Sequence, residues 1–337
     1  YVKDGTGTFK SGNITVGDGP AGTGGVGIYS VNSTNDITNY TGTIKFGDAG
    51  IGIYSEDSTW AAGGQVNFDY SSTTSTKGVG IYYKVTTNTP VANNIKVTQT
   101  AGDNLVAIYA KDLDFTNAAI ADIERLGDSI GIYGENSTIA NSATINVKGE
   151  NSVGIYLKGS TLASIGTING DPTTTSAPKI GVYVENGSDI TDTGDYNFGI
   201  QGGVGMYLED SVVAYSGTIH VTGDSTSAER TIGTYVDKDI IGNLDMNIDV
   251  TGKDAIGMYL NGDTTMGANI TYNGDLSITS SSTTSGIGIY LGENSTFTLG
   301  NGTSVTIGGT NNIGFYVSQG STFNMAGGTV DNKEDGI

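Results

Sequence analysis

Residues 151–157 read NSVGIYL, and the core of this phrase recurs along the whole chain. Residues 130–134 read IGIYG, and residues 286–291 read GIGIYL. A glycine usually stands two residues before the tyrosine, and only valine or isoleucine stands three residues before it. A repeat of about 26 residues predicts a solenoid, in which each unit buries its apolar face against its neighbours. The tyrosines of the phrase are Tyr29, Tyr54, Tyr82, Tyr109, Tyr133, Tyr156, Tyr183, Tyr207, Tyr235, Tyr259, Tyr290 and Tyr316.

The phrase and the segments after it have the pattern of short β-strands. β-Branched residues favour a pleated surface, and side chains alternate between the two faces of a strand. The Val/Ile position and the residue just before the tyrosine are therefore expected to face inward together, with glycine and tyrosine outward. An inward tyrosine accommodated by the glycine stays open as the reverse arrangement. Apolar alternation continues in GTIKF (42–46), ATINV (143–147), GTIHV (217–221) and SVTIG (304–308).

Polar corners follow the tyrosine strands and support stacking in register. ENST (135–138), KGST (158–161) and ENGS (185–188) each end in a turn rich in Asn, Gly and Ser. Asn and Gly tolerate left-handed backbone, and Ser and Thr hydroxyls bond to nearby main chain. The sequence therefore predicts an all-β, right-handed parallel β-helix of about 13 coils, with residues 1–337 forming one β-helical segment. Both ends of the sequence fall within a repeat, so we expect an internal fragment of a longer protein.

Composition excludes several classes of function. The net charge of −20 and the pI near 4.1 argue against binding to nucleic acid or to anionic membranes. The chain has no cysteine, and so neither a disulfide framework nor a thiolate metal site. No stretch has the roughly 20 apolar residues of a membrane-spanning helix, and direct membrane insertion by this segment is not expected.

Few residues suggest catalysis, a cofactor or a metal. GTGGVG (22–27) matches a dinucleotide fingerprint, but a strand follows it where the fingerprint needs a helix. His220 is the single histidine and has no second histidine with which to build a metal site or a triad. Calcium is conceivable at DKD (237–239) or KDLD (111–114), but the tandem nonapeptide of calcium-binding β-rolls is missing. We expect no catalytic, cofactor or metal site.

Acidic residues deserve separate treatment, because some β-helix enzymes act on polysaccharides through outward carboxylates. In LDMNIDV (244–250) the apolar residues should point inward and leave Asp245, Asn247 and Asp249 in an outward row. Asp189, Asp192 and Asp195 form a second cluster. We favour a solvated acidic face for both clusters. For the tyrosine row we likewise favour stacking between coils over sugar binding.

The variable insertions gather just before the tyrosine strand. In a solenoid they would emerge along one edge, where repeat proteins often bind their partners. Solvated loops without a partner are the alternative. Any receptor contact is predicted on this edge, at Asp171, Pro172, Thr173, Asp224, Ser225, Ser281 and Thr283.

The GVGIY, GIGIY and SVGIYL phrases, with ENST corners and GTINV-like strands, resemble the passenger regions of very large fusobacterial autotransporter adhesins of the RadD type. The resemblance covers essentially the whole chain and implies a β-helical passenger exported by the type V route. It also implies display on the bacterial cell surface and attachment to host cells or other bacteria through a glycan or protein receptor. No binding residue can be transferred, since the repeated motif is a scaffold motif. A structural stalk that projects a distal binding tip, and an extracellular polysaccharide-active enzyme, remain the alternatives.

Overall fold

A computed structural model describes residues 1–17, 24–71, 76–87, 89–119, 122–124, 128–149, 151–170, 179–199, 202–223, 230–252, 254–280, 285–309 and 311–333. These residues form 38 strands, β1 to β38 in chain order, and no helix. The strands are parallel and stack as a β-solenoid of about 11 turns with a spacing of about 26 residues. The expected fold class is confirmed. The coil count is slightly below the expected 13, an expectation that counted each of the twelve phrases and an incomplete copy at Tyr1 as one coil.

The chain divides into two compact units, unit 1 over Tyr1–Thr167 and unit 2 over Ile168–Ile337. Each unit is described by itself, and the single segment over 1–337 stays a prediction. In both units a coil runs through a strand that carries the phrase tyrosine, a corner strand and a third strand. Successive copies of each kind pair in parallel, forming what we call the tyrosine sheet, the corner sheets and the facing sheet.

The tyrosine sheet contains the recurring phrase. In unit 1 its strands are β1 (Val2–Lys3), β4 (Val26–Val31), β7 (Ile51–Glu56), β10 (Gly78–Lys84), β13 (Leu105–Lys111), β16 (Ile130–Glu135) and β19 (Val153–Lys158). In unit 2 they are β22 (Lys179–Glu185), β25 (Gly203–Leu208), β27 (Thr231–Val236), β30 (Ile256–Leu260), β33 (Ile287–Leu291) and β36 (Ile313–Val317).

The facing sheet lies across the interior from the tyrosine sheet. In unit 1 its strands are β3 (Ile14–Thr15), β6 (Thr43–Phe46), β9 (Gly64–Tyr70), β12 (Ile95–Ala101), β15 (Ile123–Glu124) and β18 (Thr144–Val147). Strand β21 (Thr167–Gly170) begins at the last residue of unit 1. The strands of unit 2 are β24 (Tyr196–Gly199), β26 (Thr218–Thr222), β29 (Asn247–Gly252), β32 (Leu276–Ser280), β35 (Ser304–Gly308) and β38 (Thr329–Asn332).

The corner sheets are shorter. Unit 1 contains β2 (Thr6–Thr8), β5 (Thr34–Asp36), β8 (Thr59–Trp60), β11 (Val91–Asn93), β14 (Asp114–Asn117), β17 (Thr138–Asn141) and β20 (Thr161–Ser164). Unit 2 contains β23 (Asp189–Ile190), β28 (Ile241–Leu244), β31 (Asn269–Tyr272), β34 (Thr296–Leu299) and β37 (Thr322–Met325).

The register joins equivalent positions of successive coils. Ile53 pairs with Ile81 and Tyr54 with Tyr82. The residue just before each of these tyrosines is fully buried, as Ile53 and Ile81 show. The predicted alternation of the third strand is also confirmed, because Ile44 of the facing sheet is completely buried while Lys45 is exposed. The core is therefore a set of aliphatic and aromatic ladders between the two large sheets.

The orientation of the first half of the phrase was predicted wrongly. An ideal Cβ built on Gly52 would lie 2.3 Å from Cε1 of Phe68 in the facing sheet, so this glycine points inward. Val26, three residues before Tyr29, is 36% exposed and points outward, although the same position is buried in other coils, as at Val106 and Ile256. The alternation is broken between the glycine and the residue after it, and two consecutive residues face the core. The outward orientation of the tyrosine was predicted correctly.

The inward glycines are needed because the next coil approaches closely. A Cβ on Gly205 would lie 2.7 Å from the carbonyl oxygen of Gly233, and one on Gly233 would lie 2.5 Å from that of Gly257. Real Cβ atoms essentially never come so close to another heavy atom. Ala107 is the single exception to glycine at this position, in the coil of Tyr109.

The corners bond to one another as predicted. Asn136 has a φ of 49°, in the left-handed region, and Ser137 after it is buried. The Oγ of Ser137 accepts a hydrogen bond from the amide of Leu113 at 3.2 Å, and its own amide donates to Oγ of Ser160 at 3.0 Å. These serines therefore tie three consecutive coils together.

A buried asparagine ladder was not foreseen. Nδ2 of Asn93 donates to Oδ1 of Asn117 at 2.7 Å, and Nδ2 of Asn117 donates to Oδ1 of Asn141 at 2.8 Å. All three side chains are completely buried. Buried amides must be hydrogen-bonded. Here the side chains bond to their copies in neighbouring coils, and Asn93 and Asn141 bond in addition to the main chain of Ile95 and Ala143.

Candidate functional site

The outer surface of the tyrosine sheet presents three parallel columns of side chains. The first is the Val/Ile position, the second is the tyrosine, and the third is the residue two places after the tyrosine. The break in alternation produces this arrangement, because it turns the Val/Ile side chains outward beside the rings. This side of the sheet therefore has an aliphatic column that the sequence pattern did not predict, and part of the column is covered, since Val106, Ile130 and Ile256 are buried.

The tyrosines of unit 2 form a regular stack. The ring centroids of Tyr183 and Tyr207 are 4.7 Å apart with an interplanar angle of 4°, and those of Tyr259 and Tyr290 are 4.6 Å apart at 5°. Each ring in the interior of the stack has neighbouring rings against both of its faces. Such rings offer mainly their edges to solvent, which supports the predicted structural role of the row.

The stack is interrupted in unit 1 at Tyr109. Its ring lies at 71° to Tyr82 and at 79° to Tyr133, with centroids 5.1 Å apart in both pairs. The Tyr109 hydroxyl donates a hydrogen bond to Glu135 of the next coil. Glu135 also accepts a hydrogen bond from Nζ of Lys111 at 2.7 Å. The rotated ring is thus held by a carboxylate that is itself fixed by a lysine.

An open hollow of about 380 Å³ lies beside the rotated ring. Its lining is mainly aliphatic and aromatic, with one lysine at the edge. The lining residues are Lys77, Val79, Val106, Tyr109, Ile130, Tyr133 and Tyr156. A volume of this size lies within the range of small ligand sites. We take this hollow as the candidate site.

Charged side chains form the third column next to the rings of unit 1. Lys84 lies 3.3 Å from Glu56, and Lys111 lies 2.7 Å from Glu135. The hydrogen bond from Lys111, followed by that from Tyr109, lowers the pKa of Glu135. The same contact with Glu135 raises the pKa of Lys111. Both groups are therefore charged across the physiological pH range.

The same column is acidic in unit 2. Its first three residues are Glu185, Glu209 and Asp237, and no lysine occupies the position there. Burial, with Asp237 and Glu209 as further causes, raises the pKa of Tyr207 to about 12. The two units thus present tyrosine faces of different charge.

The predicted binding edge lies outside the described residues. The residues of this edge are Asp171, Pro172, Thr173, Asp224, Ser225, Ser281 and Thr283. Partner binding along this edge stays a prediction.

The outward row in LDMNIDV has the predicted orientation. Leu244, Met246, Ile248 and Val250 are buried, and the polar residues between them are not. Oδ1 of Asp245 accepts a hydrogen bond from Asn273 at 2.8 Å, and Oδ1 of Asn247 accepts one from the amide of Asp275 at 2.8 Å. Asp249 lies 3.1 Å from Nδ1 of His220, which places the single histidine in a contact between neighbouring coils. These groups link coils.

The second acidic cluster bonds to the backbone. Asp189 accepts hydrogen bonds from the amides of Ile190 and Ala214, Asp192 accepts one from Gly194, and Asp195 accepts one from Thr218. Each carboxylate has a separate backbone partner, which is how polar surface residues stabilise turns.

The candidate calcium segments also form contacts between coils. Asp112 of KDLD accepts a hydrogen bond from Asn136, and Asp237 of DKD accepts one from Asn261 at 2.7 Å. Lys238 forms an ion pair with Asp263 at 2.6 Å. Within the described parts of the chain, no group of three or more His, Cys, Asp or Glu side chains could hold a metal ion. In GTGGVG, the described residues 24–27 lead into strand β4, as expected.

Comparison with known proteins gives no relative. No protein-family model matches the chain, and no curated protein or solved structure matches it either. Among the described residues, no helix is long and apolar enough to cross a membrane. The fold and the geometry of the tyrosine face therefore carry the functional interpretation.

Proposed function

We propose that this chain is a binding segment of a bacterial cell-surface adhesin passenger, secreted through the outer membrane and attaching the cell to a host cell or to another bacterium. The observation that carries the proposal is the tyrosine face of unit 1, where an apolar hollow opens to solvent. Exposed apolar concavities with a few polar groups at the edge are typical of binding sites. The resemblance of the repeat to fusobacterial passengers supplies the cellular context.

A repetitive β-solenoid suits this role physically. Its stability comes from identical contacts between neighbouring coils, so outward residues are free to vary without loss of the fold. The carboxylates expected for a polysaccharide-active enzyme are engaged with neighbouring coils or with backbone amides. This engagement favours binding over hydrolysis or elimination.

The test is a binding assay with the fragment of residues 1–337. Fluorescently labelled fragment is incubated with host cells and with a panel of other bacteria, and bound fluorescence is measured by flow cytometry. Saturable binding, competed by unlabelled fragment, is expected. If the fragment bound no cell type saturably, the alternative function of a structural stalk would be favoured. Release of reducing ends from polysaccharides, abolished by Asp245→Asn or Asp249→Asn, would instead establish an enzyme.

A further inference from the structure

We propose that the hollow beside Tyr109 binds an apolar side chain of an acidic peptide segment on a protein partner. The inference rests on the proposed function, because it names the class of receptor that an adhesin of this kind would bind. Three observations carry it: the lining of the hollow, the local charge, and the few hydrogen-bonding groups it offers.

The lining favours an apolar occupant. Val79, Val106 and Ile130 form an aliphatic surface, and Tyr133 and Tyr156 stack on each other at 5.0 Å along one side. An aliphatic or aromatic side chain placed there leaves water without leaving a polar group unpaired. Aromatic and aliphatic anchors in such hollows typically dominate protein interfaces.

The charge around the hollow favours an acidic partner. Four lysines, Lys77, Lys84, Lys111 and Lys158, stand on this face against three carboxylates, Glu56, Asp128 and Glu135, in a chain whose net charge is −20. The equivalent column of unit 2 begins with three acidic residues. Complementary charge mainly steers the encounter of two proteins and fixes their relative orientation. A carboxylate next to the apolar side chain of the partner should therefore favour unit 1 over unit 2.

The hydrogen-bonding groups disfavour a sugar. A pyranose carries many hydroxyls and needs several donors and acceptors around it, whereas the hollow has only tyrosine hydroxyls and Lys77 at its edge. The hydroxyl of Tyr109 already donates to Glu135. Tyr133 and Tyr156 stack face to face, so the ring faces between these two are closed to a sugar.

The experiment uses fluorescein-labelled hexapeptides and the fragment of residues 1–337. The probe Gly-Ser-Phe-Asp-Gly-Ser is compared with the same peptide carrying Asn in place of Asp, and with one carrying Ala in place of Phe. Binding is followed by fluorescence polarisation at low ionic strength. We expect the Phe-Asp peptide to bind at least threefold more tightly than the Phe-Asn peptide, and the Ala-Asp peptide to bind at least tenfold more weakly.

Three variants place the binding in the hollow. Val106→Trp fills it from the floor and should weaken the Phe-Asp peptide at least tenfold, whereas Lys77→Glu, at an exposed position, should weaken it at least threefold. The control Lys96→Glu makes the same change in net charge on the facing sheet of unit 1, and should alter binding by less than twofold. Equal melting temperatures by circular dichroism establish that the variants are folded.

Two results would overturn the inference: no binding of any acidic peptide, or equal binding by the parent and by both Lys77→Glu and Val106→Trp. Displacement of labelled fragment from cells by sialyllactose, but not by the Phe-Asp peptide, would also overturn it in favour of a glycan. Cell binding that persists in Val106→Trp would refute this inference while leaving the proposed adhesin function intact. Peptide binding without any cell binding would refute the proposed adhesin function while leaving this inference intact.

Discussion

Replacing Gly233 by alanine tests the inward orientation of the phrase glycine. The new Cβ would lie 2.5 Å from the carbonyl oxygen of Gly257 and 2.6 Å from Cγ2 of Ile248. The carbonyl belongs to the backbone of the next coil and cannot move away alone. Overpacking of this kind costs about 1–3 kcal/mol, and the entropy that alanine removes from the unfolded chain offsets about 0.4–1 kcal/mol. We therefore expect the free energy of unfolding to fall by about 1–2 kcal/mol.

Gly314→Ala is the matched control at the same position of another coil. There the nearest heavy atom to the new Cβ is Cδ1 of Ile307 at 3.3 Å, the end of a flexible side chain. We expect a change within about 0.5 kcal/mol in either direction. Ile307→Ala, at a completely buried residue, should cost about 2–5 kcal/mol and shows that unfolding of this end of the chain is detected.

The assay is urea unfolding followed by far-ultraviolet circular dichroism, with the slope of the transition compared between variants. If Gly233→Ala and Gly314→Ala unfold at the same midpoint as the parent, the glycine does not face the core. A shift of equal size in both variants would mean that the loss comes from the backbone conformation. Only a selective loss at Gly233 agrees with the geometry.

Three further predictions concern facing, buried amides and pH. Ile155→Asp should lower the free energy of unfolding by more than about 3 kcal/mol, because it buries an unpaired carboxylate. Val153→Asp, on the outer surface, should lower it by less than about 1 kcal/mol. Similar urea midpoints for the two variants would contradict the assignment of Ile155 to the inner face and Val153 to the outer face. Asn117→Ala should lower the free energy of unfolding by about 1–3 kcal/mol, because it removes one hydrogen-bond partner from the buried amide of each neighbouring coil, and a loss below about 0.5 kcal/mol would argue against the ladder. Since the folded pKa of Tyr207 is raised to about 12, its contribution to stability is complete below pH 10 and is lost between pH 10 and 12. The melting temperature should fall across that range, and a constant value would contradict the burial of the ring.

Much of the fold follows from residues that are close in sequence. The spacing of the tyrosines defines the coil, and the Asn-Ser corners specify turns whose hydrogen bonds recur from coil to coil. The alternation in ATINV placed Ile145 and Val147 inward, as observed. These features depend on local backbone geometry and on a repeat that the sequence displays directly.

The features that were missed depend on a departure from local rules. Regular alternation put Val153 and Ile155 on one face, but the chain turns two consecutive residues inward at Gly154 and Ile155. Glycine leaves no side chain to reveal its direction, so the pattern alone could not locate the break. The signal in the sequence was the almost unbroken recurrence of this glycine, since an outward position would tolerate other residues.

The hollow beside Tyr109 could not be predicted from the repeat, because it arises where one coil differs from the others. The rotation of one ring depends on partners in three coils. Two signals were nevertheless present in the sequence: Ala107 replaces the usual glycine in this coil, and lysines occupy the third column nearby.

The in-register pairing of each coil with the next has a mechanical consequence. Within a unit, a pull that peels off the outermost coil loads the hydrogen bonds between that coil and the next, while the coils further in keep both neighbours. Extension should then proceed stepwise, each step releasing about 26 residues, or roughly 90 Å of extended chain. A tether built this way would lengthen under a sudden load and dissipate work while its remaining coils stay folded. For the proposed adhesin, attachment in flowing liquid would then depend on how many coils can be released as well as on the strength of the bond to the receptor.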